Sequence, residues 1–426
     1  QTDKFGNQDI IGMKSLAEEE VSFTNTIFTA DAKGMVEKWL LQLEKQMIMS
    51  LKDIINKSIS DFYQTPLLKW CLYWPGQVVS VSSMLNWTSD ASEAIEKSSL
   101  KSFLDKFNNQ LSEIVSLIQN GLSSRAELNC RNLVILNVHA RNVIERIYEQ
   151  NVLSIQDFNW KSQLRYYQGN DSGEVFVEMV TTRIQYGYEY IGNSPRLVMT
   201  PLTERCYRTL MGALKMHLGG APEGPAGSGK TETCKDLAKA VAKQCVIFNC
   251  SDGIDYHGMG KFLKGLAQSG AWACFDEFNR IDLDVLSVVA QQIQTIQNAI
   301  ASNLTTFNFE GAELTLNKSC SIFITMNPSY GTRKAIPDNL KLLFRPVAMM
   351  LPDISMIAQV TLYAMGFQNA RSLAKKIIDA YKLCSEQLSY QAHYDFGMRA
   401  VKSTLTATGK LRLKTPELTD ENKLIL

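Results

Sequence analysis

Hydrophobic positions along the chain of 426 residues change their rhythm near residue 195. From about 30 to 168 they recur every three or four residues, the spacing of one buried helix face. Val36, Trp39, Leu40, Leu43, Met47, Leu51 and Ile54 predict one helix. Leu100, Phe103, Leu104, Phe107, Leu111, Ile114, Val115 and Ile118 predict another, with Gly121 placed as its stop. Pro75-Gly76 starts a helix between them, and 132–149 is a fourth. Such stripes usually close a bundle core, and nothing catalytic shows in this half. Residues 174–190 alternate and are rich in Val, Thr and Tyr, which predicts strands before Asn193-Ser194-Pro195 breaks the chain.

From about 197 onward short apolar runs alternate with helical stretches. Strands are predicted at 246–249, 272–275 and 321–325, and helices at 232–243, 259–268 and 282–301. Residues 307–316, with Gly311 between alternating runs, predict an inserted hairpin. Beyond Pro352 the pattern is helical again. Strands alternating with helices imply a parallel sheet between helices, with ligands at the carboxyl ends of the strands.

Two motifs give that sheet its chemistry. Residues 224–231 read Gly-Pro-Ala-Gly-Ser-Gly-Lys-Thr, a complete phosphate-binding loop. Gly224, Gly227 and Gly229 permit the tight turn, while Pro225, Ala226 and Ser228 complete a backbone cradle for phosphate oxygens. Lys230 brings a cation to the β- and γ-phosphates, and the Thr231 hydroxyl suits Mg²⁺. Glu232 opens the following helix, whose N-terminal dipole favours the anion. The second motif is the apolar strand ending in Asp276-Glu277. Asp276 would hold the water shell of Mg²⁺, and Glu277 would polarise the attacking water. Read blandly, the pair is only an acidic helix cap after a buried strand; the loop upstream tips the balance. Asn327, before Pro328, would by itself be a turn residue, but at a neighbouring strand tip it could reach the γ-phosphate or the water. Arg345 and Arg399 carry little weight by spacing, because arginines on helices are usually solvated surface. These features indicate a Mg²⁺-dependent nucleoside triphosphate hydrolase.

Composition narrows the alternatives. With 44 basic and 43 acidic residues there is no net field for nucleic acid or an anionic membrane. No apolar run approaches the length of a membrane span. Nine scattered cysteines without a C-x-x-C pair read as reduced, buried thiols of a cytosolic protein, and four dispersed histidines suggest no metal site. The polar start at Gln1 and the charged end suggest a segment of a longer polypeptide.

Several longer runs resemble the first AAA+ module of dynein heavy chains. They are Pro201-Leu202-Thr203-Glu204-Arg205-Cys206-Tyr207, Gly219-Gly220-Ala221-Pro222-Glu223, Phe248-Asn249-Cys250-Ser251-Asp252, and residues 270–280 around Phe275-Asp276-Glu277-Phe278-Asn279-Arg280. The wording is closer to axonemal than to cytoplasmic transport dyneins. Trp74-Pro75-Gly76-Gln77-Val78 and Tyr188-Glu189-Tyr190-Ile191-Gly192-Asn193-Ser194-Pro195 resemble the C-terminal part of the linker before that module. Ser228 stands where the family pattern has Thr, a departure that touches mainly backbone.

The resemblance implies a mainly helical linker over 1–195, an α/β P-loop AAA+ large subdomain over 196–352 and a small helical subdomain over 353–426. It marks Asn327 as sensor I, Arg399 as a sensor II arginine, and Arg345 as an arginine finger serving a neighbouring module, and it implies ATP and ADP as the nucleotides. Leu197, Val198, Pro201 and Leu202 fall where an adenine pocket would form. Implied partners are the remaining AAA+ modules of the same heavy chain, intermediate and light chains, and microtubules through regions outside this sequence. The implied setting is the ciliary axoneme within the cytoplasmic cytoskeleton. A regulatory module that binds without hydrolysing is the first alternative, and Glu277 argues against it. An AAA+ remodeller of another lineage is the second, and the neutral charge and linker-like half argue against that.

Overall fold

The structure, a computed structural model, describes residues 9–32, 35–169, 173–251, 255–327, 336–389, 391, 393–414, 421 and 423. Asp252 and Pro328 of the sequence motifs lie outside the described residues. The chain divides into two compact units, Gln1–Val177 with Gln185–Val198 and Asp353–Leu426, and Glu178–Ile184 with Met199–Pro352.

An antiparallel hairpin of β1 (Asp9–Lys14) and β2 (Glu20–Phe28), which the periodicity does not announce, precedes the helices. There follow α1 (Val36–Asp61), α2 (Leu67–Tyr73), α3 (Gly76–Glu96), α4 (Leu100–Gln119), α5 (Ser124–Glu149) and the short α6 (Phe158–Lys161). All four predicted helices are present. α5 begins upstream of Asn132 because the Ser123 hydroxyl caps it, accepting the Ala126 N–H at 3.4 Å. α4 ends as expected, with Gly121 at φ +81° in the left-handed region. Its predicted stripe is the one it buries. Leu111, Ile114, Val115 and Ile118 pack with Trp70 of α2 and Leu133, Val134 and Val138 of α5. Full burial of each such side chain is worth about 1.5–3 kcal/mol over exposure. Strands β3 (Arg165–Gln168), β4 (Val175–Met179) and β5 (Thr182–Gln185) follow. The two runs that carried the linker resemblance are bonded to each other. Gln77 donates to the Glu189 carbonyl at 2.8 Å and accepts from the Ile191 N–H at 2.9 Å. The buried Glu19 carboxylate accepts the Gly76 N–H at 2.7 Å and the Tyr190 hydroxyl at 2.9 Å.

The second unit continues with α7 (Pro201–Lys215), β6 (Gly219–Glu223), α8 (Lys230–Ala240), β7 (Cys245–Asn249), α9 (Tyr256–Ser269), β8 (Trp272–Asp276) and α10 (Leu283–Ala301). The inserted hairpin is β9 (Thr306–Phe309) and β10 (Ala312–Thr315), paired antiparallel. β11 (Ser321–Ile324), α11 (Asp338–Lys341) and β12 (Phe344–Ala348) complete it. Five strands form a parallel sheet in the order β12-β6-β11-β8-β7. Its core joins Phe275, Ile324 and Phe344 to Leu263 and Leu266 of α9 and Leu286, Val289 and Ile293 of α10. Arg345 sits on β12, an edge strand, rather than on a helix; its exposed side chain alternates with buried Phe344.

The chain ends in α12 (Ile354–Ala364), α13 (Ala370–Gln387) and α14 (Met398–Lys414), which share a core of Ala358, Leu362, Phe367, Leu373, Ile377, Val401 and Leu405. Within the same compact unit, Val360 and Ala364 of α12 join the cluster of α4 and α5, and Gln119 donates to the Gly366 carbonyl at 2.8 Å. Seven of the nine cysteines are buried and two are partly exposed, all of them free thiols. Burial pushes Cys206 and Cys245 up to about 12 and Cys320 up to about 11. No helix among the described residues is long and apolar enough to cross a membrane.

Candidate nucleotide site

The phosphate-binding loop leaves the carboxyl end of β6, between β12 and β11 in the sheet. Three contacts of β6 and its loop explain why glycine stands where it does. A β-carbon on Gly219 would lie 2.4 Å from the Phe344 ring, one on Gly220 2.3 Å from Leu210, and one on Gly224 2.1 Å from the Met349 carbonyl. Gly227 at φ +79° and Gly229 at φ +82° take the left-handed turn that L side chains disfavour. Gly229 then caps α8, whose first-turn N–H groups have no carbonyl one turn back. A polyphosphate fits such a donor array.

Lys230 is buried, and its ammonium donates to the carbonyls of Gly224 and Pro225, both at 2.8 Å. The Ser228 hydroxyl donates to the Pro225 carbonyl at 2.8 Å. The side chain of residue 228 therefore braces the loop, and a serine hydroxyl suffices for that bond. Glu232 is exposed in the first turn of α8, and Ala226 is exposed at the loop tip.

The carboxylate strand meets this loop directly. The Thr231 hydroxyl donates to Asp276 Oδ1 at 2.8 Å. The parallel register pairs Phe275 with Ile324, which sets Thr325 beside Asp276. Thr325 is fully buried, and its hydroxyl donates to the same Asp276 oxygen while accepting the Glu277 N–H at 3.1 Å. Glu277 itself is left-handed at φ 54° and ψ 44°, opening a 3-10 turn over Phe278–Arg280. Eclipsed side chains three apart in such a turn bring the Arg280 guanidinium onto the Glu277 carboxylate. Asn327 is buried just past β11, and its carbonyl accepts from the Asn279 amide at 3.3 Å.

The structure thus brings together the loop, Thr231, Asp276, Glu277 and Asn327. The other expected site residues are distributed differently. Pro201, exposed, and Leu202 open α7 in this unit, whereas Leu197 and Val198 belong to the helical unit. Val198 is buried there with Trp70 and Val134. Arg399 is exposed in the first turn of α14, also in the helical unit. Sequence reasoning missed Thr325 and Arg280. Aligning the first residues of the two apolar runs at 272–275 and 321–325 would have set Thr325 opposite Asp276.

Fold and site together define an α/β nucleotide-binding module of the P-loop class behind a mainly helical region. The family model for the hydrolytic ATP binding site of the dynein motor region matches residues 186–426, and the model for dynein heavy chain N-terminal region 2 matches residues 1–58. The chain belongs to the dynein heavy chain family, and the relatives named next are axonemal. It is 58% identical to human dynein axonemal heavy chain 3 over 99% of this chain and 10% of the relative. It is 54% identical to human dynein axonemal heavy chain 12 over 99% of this chain and 14% of the relative. With human dynein axonemal heavy chain 6 the identity is 47% over 100% of this chain and 10% of the relative. The chain therefore spans roughly a tenth of the length of the curated relatives it matches.

Proposed function

We propose that this segment binds ATP with Mg²⁺ and hydrolyses it to ADP, as the catalytic module of an axonemal dynein heavy chain. One observation carries the proposal: the 2.8 Å bond from Thr231 to Asp276, which joins the loop to the carboxylate strand with Glu277 next in sequence. A hydroxyl and a carboxylate are the hard oxygen donors that Mg²⁺ accepts alongside phosphate oxygens. Thr231 and Asp276 would hold the ion, which when bound supplies positive charge against the phosphate oxygens. Lys230 would exchange its loop carbonyls for the β- and γ-phosphates. Glu277 would accept a hydrogen bond from the attacking water, and Asn327 would orient that water or the γ-phosphate.

The family supplies the finer assignments. Leu197, Val198, Pro201 and Leu202 would meet adenine, and Arg399 would sense the nucleotide from the small subdomain. Arg345 would serve the neighbouring module's site. The reading assigns residues 1–195 to the linker, 196–352 to the large subdomain and 353–426 to the small one. In the whole heavy chain, turnover would drive linker movement for minus-end-directed motion on microtubules and ciliary beating. The remaining AAA+ modules and the intermediate and light chains would be partners in the axoneme.

Lys230→Ala tests the loop. It removes the cation that offsets the polyphosphate, so ATP affinity measured with a fluorescent analogue falls steeply and turnover of the motor falls with it. Wild-type affinity and turnover in that variant would show that the loop is not the working site.

A further inference from the structure

We infer that Thr325, outside both sequence motifs, is the positioning residue that couples the two acidic groups of the site. The inference rests on the hydrolytic reading above. A threonine hydroxyl has one proton to give and lone pairs to receive. Here the proton goes to Asp276 Oδ1, and a lone pair takes the Glu277 N–H at 3.1 Å. The backbone of Thr325 holds the same segment twice more. Its N–H donates to the Phe275 carbonyl at 2.9 Å, and its carbonyl accepts the Phe278 N–H at 3.0 Å. Four consecutive residues, from the end of β8 into the turn after it, are thus fixed by the one residue that follows β11.

The position is chemically pointed. Asp276 Oδ1 already receives the Thr231 hydroxyl, so Thr325 supplies a second donor that fixes the carboxylate's rotation. Glu277 has a left-handed backbone, which an L residue keeps only when its surroundings hold it there. The Thr325 hydroxyl holds its N–H from the buried side, while Arg280 restrains its carboxylate from the exposed side. One buried hydroxyl therefore sets both the metal-facing carboxylate and the direction in which the water-orienting side chain leaves the main chain.

Thr325→Val keeps the shape and removes both bonds, while Thr325→Ser keeps the hydroxyl. Both are made in the motor that carries this segment, beside Glu277→Gln. ATP affinity in EDTA, Mg²⁺ dependence of ATP binding, thermal midpoint and turnover are measured. The valine variant should bind ATP in EDTA as wild type does, lose about 10–100-fold in turnover and need correspondingly more Mg²⁺, as outer-shell partners of metal ligands typically do. The serine variant should recover most of both. Wild-type turnover in Thr325→Val, where Glu277→Gln has lost it, overturns the assignment. So does a Thr325→Val that loses ATP binding and stability with no recovery in Thr325→Ser, because the role is then structural. If the wild-type site binds ATP without turning it over, the hydrolytic reading fails, and the Mg²⁺ requirement alone decides for Thr325: raised supports it, unchanged overturns it.

Discussion

Gly224 has no room for a β-carbon, because the Met349 carbonyl would stand 2.1 Å from it. That carbonyl is held in place, since the Met349 N–H donates to the Glu223 carbonyl at 2.6 Å. Gly224→Ala must therefore part the loop from the end of β12. Overpacking of this kind costs about 1–3 kcal/mol. The expected result is a lower midpoint in denaturant together with weaker ATP binding, since the loop's carbonyls and N–H groups shift with it. Unchanged stability and affinity would mean that the backbone approach is looser than the structure has it. At this scale the loop and the Asp276-Glu277 pair were legible from the sequence, because each residue type has one task there. Thr325 and Arg280 were not. A threonine inside an apolar run signals nothing until the register sets it beside Asp276, and an arginine three residues after a glutamate needs the 3-10 turn to reach it.

Elements position the site through the helices on either side of β6. α7 begins with a capping box in which the Thr200 hydroxyl accepts the Thr203 N–H and the Thr203 hydroxyl accepts the Thr200 N–H. Farther along, buried Tyr207 donates to the buried Asp236 carboxylate of α8 at 2.6 Å. The helix that follows the loop is tied to its neighbour by that bond. Tyr207→Phe leaves a buried carboxylate short of a donor and should cost about 1–3 kcal/mol. A lower denaturant midpoint with an unchanged slope is the expected reading; an unchanged midpoint would contradict it. Amphipathic helices were legible because burial imposes their period. β6 and β12 were not. Gly219-Gly220-Ala221-Pro222 has low strand propensity, and Pro is rare in a central strand. It is a strand here because β12 and β11 flank it and the Phe344 and Leu210 side chains fill the space that glycine leaves. The β1–β2 hairpin escaped notice for a related reason: only Val21 and Ile27 among its apolar positions are buried.

At the scale of the whole molecule, this chain spans about a tenth of its relatives' length. Near-balanced charge, 44 basic against 43 acidic residues, gives it no long-range pull on a polyanion, so nucleotide recognition falls to the local cradle. Under the proposed function Arg345 serves a neighbouring module, so the cation that stabilises the transferring phosphoryl group at this site would come from another module of the heavy chain. Such fingers are worth roughly 10³ to 10⁵ in rate, so on that proposal full turnover would belong to the joined modules rather than to this segment alone. On the proposed function this site hydrolyses what it binds. The most direct test of that compares ATP binding and steady-state turnover in the motor with and without Glu277→Gln. The substitution keeps size and hydrogen bonding but removes the acceptor that orients water. Near-normal ATP affinity and a loss of about 10²–10⁴-fold in turnover are expected. Unchanged turnover in that variant would contradict the proposed function and leave a site that binds nucleotide while hydrolysis happens elsewhere.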